Sequence, residues 1–339
     1  MIAIPDGTRP VAVSEALHAL ARRFDGRATA IIGLGLHRAM RANELPDSPF
    51  PVVQHDPDDT VATAVIDGIP GGVSRLLAGA DTVLGLGIVE PHQYAGFSGG
   101  HKAVAVGCGA RATLDALHHR DRVTAPGVAI GQLVGNPFRQ AVDRLGQAAR
   151  CAWTLLQGGP DLWEAGEPVA ALARTAARLD CWLDVPRRYD AVVLRVPGTK
   201  AVNFYQASRA ATYLGLSERP PLNDHATLYL DAACPEGLGE GDGERAFANV
   251  LARSPAPWGD LLEGRAPEGA GTQRAVVLAL LLRKYRLVVC GVADPRPLQA
   301  LGLEATSAAA DDVAPADALR VTEPFRRIPR LSSAAASSS

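Results

Sequence analysis

Aromatic side chains are scarce in this chain of 339 residues, at 5%, although 47% of it is hydrophobic. Ala, Val, Leu and Ile must therefore fill the core, which favours helices packed closely on a sheet. Long apolar runs are missing too. The longest, Ala275 to Leu282, falls well short of the roughly 20 residues that cross a bilayer. Charge of one sign is not in excess: 34 Lys and Arg against 36 Asp and Glu leave a net of −2, which argues against nucleic-acid and anionic-membrane partners. The cysteines, Cys108, Cys151, Cys181, Cys234 and Cys290, are odd in number, scattered and without a Cys-x-x-Cys pair. A disulfide framework or thiolate zinc site is not expected. The start, Met1-Ile2-Ala3-Ile4-Pro5-Asp6, lacks the basic and apolar regions of a signal peptide, so the expected location is the cytoplasm.

At roughly 150 residues per domain, the length predicts two α/β domains. The first is expected over 1–185, the second over 186–328, with a disordered tail at 329–339 that ends in Ser and Ala repeats. Helical spacing predicts a helix from Ser14, as N-cap, to Phe24. The run Ala28 to Ile32 reads as a strand that stops at Gly33-Leu34-Gly35-Leu36-His37-Arg38, a glycine turn leading into a helix. The pattern returns at Thr82-Val83-Leu84, followed by Gly85-Leu86-Gly87 and then Glu90-Pro91-His92. Two histidines thus follow two strand ends, where open α/β sheets bind ligands. An Ala- and Arg-rich helix is expected over about 163–179, and Asp184 to Tyr189 as a linker. Further strands are predicted at Ala191 to Val196, Thr227 to Leu230 and Leu287 to Cys290, with a helix at about Thr272 to Lys284.

Common motifs are incomplete. Neither Gly33-x-Gly35 nor Gly85-x-Gly87 carries the third glycine of a dinucleotide fingerprint, Gly99-Gly100-His101-Lys102 is not a P-loop, and no Gly-x-Ser-x-Gly elbow occurs. The dense segment is Glu90 to Lys102, rich in Gly, His and polar groups. Composition alone equally suits a solvated surface loop. The pair His118-His119, on a predicted helix from about Ala112, makes the combination a recipe for metal binding or proton transfer.

These residues carry a resemblance. Asp6-x-Thr8-Arg9, Gly35-x-His37-Arg38, Gln54-His55-Asp56, Pro91-His92-x-x-Ala95-Gly96-x-Ser98-Gly99-Gly100-x-Lys102, Gly135-Asn136-Pro137, Asn203-x-Tyr205-Gln206 and Cys234-Pro235-Glu236-Gly237-Leu238-Gly239 occur in order along the chain. Together the run resembles the nickel-pincer lactate racemase family. The resemblance implies an α/β protein of two α/β domains, with the active site in the cleft between them. It implies a nickel-pincer mononucleotide attached to Lys102, with Asp6, Thr8, Ser98, Gly99 and Gly100 around it. The nickel ligand is most similar to His118, although a slip of one residue would make it His119. His37 and His92 correspond to the family's proton-transfer pair, a base on each side of a planar 2-keto acid. Arg9, Tyr205, Gln206 and Arg209 correspond to substrate contacts, and Asp6 either orients His37 or pairs with Arg9. The implied partners are a small 2-hydroxy acid and the enzymes that make the cofactor.

Departures from the family pattern concentrate in the second half. Arg209 stands where the family has lysine, and an arginine fork is not interchangeable with a point charge. Pro197 to Val202 departs from a Gly-Gly-x-Pro-x-Asp run, and Gly271-Thr272-Gln273-Arg274 stands for Gly-Tyr-His-Lys. Asp6 also lies very near the start, which suggests a trimmed sheet edge or a misplaced start codon. The expected activity is an isomerase inverting C2 of a 2-hydroxy acid. Its rivals are a different redox or dehydration reaction with the same cofactor, and a non-catalytic binding protein.

Overall fold

The computed structural model describes residues 1–24, 27–254, 258–264 and 269–333. The chain is an α/β protein whose contacts divide it into two units, Met1–Leu179 and Asp180–Ser339.

The main sheet of the first unit has six strands: β1 (Ile2–Pro5), β2 (Ala30–Gly33), β3 (Val52–Gln54), β4 (Val83–Ile88), β5 (Cys151–Gly159) and β6 (Leu162–Gly166), in the order β3-β2-β1-β4-β5-β6. Every neighbouring pair is parallel except β5 with β6. Side chains alternate across a strand. Ile2, Ile4, Ala30 and Ile32 therefore face one way, toward Leu17 of helix α1 (Val13–Phe24), while Ala3 and Ile31 face Val73, Leu77, Val104 and Cys108. Both faces are covered, as parallel sheets require.

The chain turns from β1 outward to β2 and β3, then crosses back to β4 on the other side. The topological switch point thus lies between β1 and β4, where ligands bind outside the strands' carboxyl ends. The strands leading to His37 and His92 are not neighbours; β1 lies between them and pairs with both.

Several expected elements shift. Gly85-Leu86-Gly87 is not a turn but the middle of β4, paired with β5 along its length. No α-helix follows His37; the chain makes only a short 3₁₀ turn, Ala42–Glu44. Ser14 lies inside α1 rather than capping it. The helix expected over 163–179 begins as strand β6, because its residues pair with the edge of β5. Pro168 then opens helix Pro168–Ala177, capped by Glu167 accepting from Val169 and Ala170 N–H.

In the second unit five parallel strands, β7 (Tyr189–Arg195), β8 (Leu222–Asp231), β9 (Arg286–Cys290), β10 (Glu304–Ala305) and β11 (Leu319–Val321), run in the order β10-β9-β8-β7-β11. Trp182–Val185, partly expected as linker, pairs instead with Ile328–Leu331, so the start of the expected tail is ordered strand; residues 334–339 lie outside the described residues. All five cysteines are buried free thiols. Among the described residues no helix is long and apolar enough to cross a membrane.

Gly33, at the end of β2, shows how tightly the site is built. A Cβ there would lie 2.9 Å from the Gly107 Cα. Gly33→Ala should therefore cost about 1–3 kcal/mol, the usual cost of overpacking, read as a lower midpoint in urea unfolding; an unchanged midpoint would show that this approach is not tight.

Candidate active site

Three strand ends meet around the switch point. At the end of β1, Asp6 is buried, and its carboxylate accepts from the Thr8 N–H at 3.0 Å and the Thr8 hydroxyl at 2.5 Å. Its second oxygen lies 2.5 Å from His37 Nδ1, in the loop after β2. Burial alone would push the Asp6 carboxyl up. The His37 charge and hydrogen bond, with Arg9 and Thr8, outweigh burial and hold it well below the usual carboxylate range. With Nδ1–H donated to Asp6, His37 carries its lone pair on Nε2, the arrangement of a carboxylate-oriented base. Arg9 is brought into this group through its charge on Asp6.

Beyond β4, the chain makes a small hairpin, Pro91–His92 against Gly96–Phe97. His92 Nδ1 accepts main-chain N–H bonds from Tyr94 and Ala95, each at 3.2 Å. The neutral imidazole therefore keeps its proton on Nε2, the opposite tautomer to His37. Ser98, expected beside the cofactor, is engaged with the protein: its hydroxyl donates to Ile88 O at 2.7 Å and accepts from Glu90 N–H at 3.0 Å. It ties the loop to the end of β4. Thr8 is likewise engaged with Asp6.

Gly99 and Gly100 both have positive φ, +89° and +61°, so the chain reverses sharply into Lys102 and the π turn Ala103–Gly107. Single π turns recur at functional sites. This turn packs against β1, β2 and β4, bringing Lys102 to the strand ends.

His118 ends helix α2 (Arg111–Leu117), and the helix breaks between it and His119. His118 Nδ1–H donates to Leu114 O at 2.9 Å. Its ring stands edge-on to Tyr94 and Phe138, at centroid distances of 6.2 and 5.6 Å, and Tyr94 in turn touches His92 at 5.8 Å. Burial and then the Lys102 charge, against the Leu114 bond, push His118 down to about 4. It is neutral at ordinary pH with its lone pair on Nε2, as a metal ligand must be. His119 instead caps the next helix, accepting from Asp121 N–H at 3.3 Å, and lines a surface pocket with Gly68 and Arg122. Among the described residues no three His, Cys, Asp or Glu side chains gather as a metal cluster.

Sequence reasoning missed the support beneath Lys102. Buried His101 meets Asp143 at 3.0 Å, Asp143 accepts from Arg139 at 2.7 Å, and Arg139 reaches the Gly99 carbonyl at 3.3 Å. Asp143 is held below the usual carboxylate range by His101 and Arg139 against its burial. The legible signal was the i, i+4 pair Arg139 and Asp143 in helix α3 (Pro137–Ala148). Asn136 of the Gly-Asn-Pro motif caps α3 and donates to Tyr94 O at 2.8 Å.

In the second unit Tyr205, Gln206 and Arg209 come together as expected, at the start of the helices after β7. Arg274 joins them: its guanidinium carbon lies 5.9 Å from the Tyr205 ring centroid and that of Arg209 6.0 Å.

Residues 1–131 match the family model of the lactate racemase N-terminal domain. Over these residues the chain is similar to lactate racemases. It is 27% identical over 166 residues to a lactate racemase of Lactiplantibacillus plantarum, a match that covers 44% of this chain and 39% of that protein. Over 138 residues it is also 27% identical to a lactate racemase of Thermoanaerobacterium thermosaccharolyticum, covering 37% of this chain and 32% of the relative. The matches thus span well under half the length of these relatives. The structure of the lactate racemase apoprotein from T. thermosaccharolyticum shares the fold at a TM-score of 0.79 and 19% identity, covering 97% of this chain and 86% of that one. A protein from Thermotoga maritima shares it at 0.68 and 13% identity, covering 97% of this chain and 93% of that one.

Asp6 gives a pH test. A carboxyl held below its unfolded value stabilises above that value, near 3.9, and loses the contribution as pH falls toward the native value. Asp6→Asn should lower unfolding free energy at pH 7 by about 2 kcal/mol, with the gap to wild type closing below about pH 4. A constant gap down to pH 2.5 in urea titrations would exclude the charge as its source.

Proposed function

We propose that the chain is a racemase or epimerase that inverts C2 of a 2-hydroxy acid by proton-coupled hydride transfer, using a nickel-pincer mononucleotide attached to Lys102. What carries the reading is the pairing of two oppositely held imidazoles, His37 and His92, at strand ends beside Lys102 and a neutral His118.

The residues present fit such a group. His118 offers one lone pair, the described residues hold no further cluster of protein ligands, and a nickel ion here would take its other ligands from the organic group. Gly99 and Gly100 leave room at the turn: side chains there would press on Val89 at 3.1 Å and the Pro168 carbonyl at 3.2 Å. Lys102 would carry the group, His118 would bind its metal, and Asp6, Thr8, Ser98, Gly99 and Gly100 would line it. When bound, the group supplies an electrophilic carbon that accepts the C2 hydride and returns it, which avoids a carbanion beside a carboxylate.

The chain's own part is proton transfer and positioning. His37 Nε2 takes the hydroxyl proton as the hydride leaves, and Asp6 stabilises the resulting imidazolium. His92, its Nδ1 filled by two amide protons, would donate Nε2–H to the same oxygen and polarise the planar keto acid. His37 then gives the proton back. Arg9 in the first unit, with Tyr205, Gln206 and Arg209 in the second, serves the substrate carboxylate.

Intact mass of the protein made together with the cofactor-producing enzymes tests the attachment. The expected adduct is absent from Lys102→Ala; an unmodified, folded wild-type chain supplied with cofactor would favour a binding protein instead. Nickel should be lost from His118→Ala and kept in His119→Ala. On the loaded enzyme, optical rotation of a 2-hydroxy acid should decay without net product, whereas accumulating keto or dehydrated acid would indicate the redox rival.

The tautomers separate the two histidines. Substitution of His37 by Gln should cost about 10²–10⁴-fold in kcat. His92→Asn, which keeps a donor, should recover part of the activity that His92→Ala loses. Equal losses in His92→Asn and His92→Ala would mean that His92 acts as a base.

A further inference from the structure

The sequence motif Gln54-His55-Asp56 takes no part in the chemistry described above, yet it closes β3 at the carboxyl end of the first sheet. Neighbouring residues of a strand point to opposite faces, so Gln54 and His55 reach different walls. Gln54 pairs with Ile32 of β2, the residue before Gly33. From there it grips one residue of the loop after β2 at two points. Its Oε1 accepts the Met40 N–H at 2.7 Å, and its Nε2 donates to Met40 O at 2.9 Å. A side-chain amide that meets both main-chain groups of one residue stands in for a neighbouring strand.

His37 lies three positions before Met40, in a stretch, 34–41, that holds no helix or strand. Gly35 N–H ties the near end of this stretch to Gly107 O at 2.8 Å, and Arg38 pairs with Glu44 at 2.7 Å. The far end is held by Gln54. The Met40 side chain also lies against Gly7, where a Cβ would be 3.4 Å from Met40 Cε. Gly7 stands between Thr8 and Asp6, the carboxylate that meets His37. Met40 thus touches the turn that carries this carboxylate and ends the loop that carries the imidazole.

His55 secures the strand end itself. Its main-chain N–H continues the ladder to Ile32 O at 3.0 Å. The ring is buried, and burial, outweighing the Gly109 bond and the charges of Asp56, Asp58 and Asp59, pushes its basicity down. It donates Nε2–H to Gly109 O at 2.9 Å, two residues beyond the π turn that follows Lys102. Its Nδ1 has no hydrogen-bond partner among the described residues, so the bond its side chain makes is to the end of that turn.

We infer that Gln54 is a positioning residue for His37: acting through Met40, it fixes the loop so that the imidazole meets Asp6 through Nδ1–H and keeps Nε2 open. The inference rests on the racemase reading above, in which His37 is the base. An imidazole loosened here would carry its proton on either nitrogen, and the form protonated on Nε2 has no lone pair to take a proton there. A misplacement of about 1 Å is enough to cost about 10²-fold in rate.

Histidine labelled with ¹⁵N reports the tautomer in the full-length protein without cofactor or turnover. In its neutral form His37, assigned by the signal that His37→Gln removes, should be protonated on Nδ1 alone. Gln54→Met, similar in length but without either hydrogen bond, should give a mixture of tautomers. Gln54→Glu keeps the acceptor for Met40 N–H and should move the mixture back toward wild type, with thermal unfolding run on each variant to establish that it folds. On loaded enzyme, Gln54→Met should lower kcat at least about tenfold while KM moves less than about twofold. His37 still held on Nδ1 in a folded Gln54→Met overturns the inference whatever the kcat, and leaves the racemase reading standing. In the wild type, a Met40 amide that exchanges with deuterium as fast as that of exposed Ala39 overturns it whether or not the variants fold. A tautomer that responds to Gln54 in a protein that, once loaded, inverts no 2-hydroxy acid sinks the racemase reading and leaves the positioning role.

Discussion

Close backbone approach at the carboxyl end of the first sheet is the constraint on which the rest of the site depends. The turn that starts at Lys102 can reach the strand ends only because side chains are absent on both sides of the contact, where Gly33 meets Gly107. The Gly35 N–H then donates to Gly107 O at 2.8 Å, locking the loop that leads to His37 onto the turn that leads from Lys102. Behind the turn, Gly146 lets helix α3 settle on His101, where a Cβ would lie 2.4 Å away. Lysine, histidine and strand ends are thus fixed relative to one another by packing, and interiors packed to this density transmit small displacements directly.

On that frame the electrostatics differ from one histidine to the next. His37 faces the buried carboxylate of Asp6. His92 faces two amide protons, which exclude a proton from Nδ1. His118 faces a carbonyl and a lysine charge and stays neutral. The three imidazoles thus differ in what their Nδ1 atoms meet, a difference of the kind that divides acid and base work between neighbouring titratable groups.

The strands and the groups at their ends were legible because apolar runs closed by glycine, with His or Asp just beyond, announce a parallel sheet and its ligand-binding edge. What stayed hidden depended on long-range packing. Gly85-Leu86-Gly87 looks like a turn until β1 and β5 are seen to pair with the strand that contains it. Residues 163–166 look helical until β5 offers an edge to pair with. The choice between His118 and His119 could not be read from spacing, since it turns on where α2 ends. Arg274 escaped notice because its helix reads as plain core. Only the fold brings it to Tyr205, 69 positions earlier in the sequence.

The two units treat buried charge differently, and that difference bears on what each does. In the first, the buried charged groups answer one another: Asp6 with His37, and Arg139 and His101 with Asp143. A network closed in this way has its partners within the protein and stays rigid. In the second unit the guanidinium of Arg209 has two donors unmet, on the Tyr205 ring that it shares with Arg274. The closed network thus lies in the unit that matches the lactate racemase N-terminal domain, and the unmet donors lie in the other, where the sequence departs most from the family pattern.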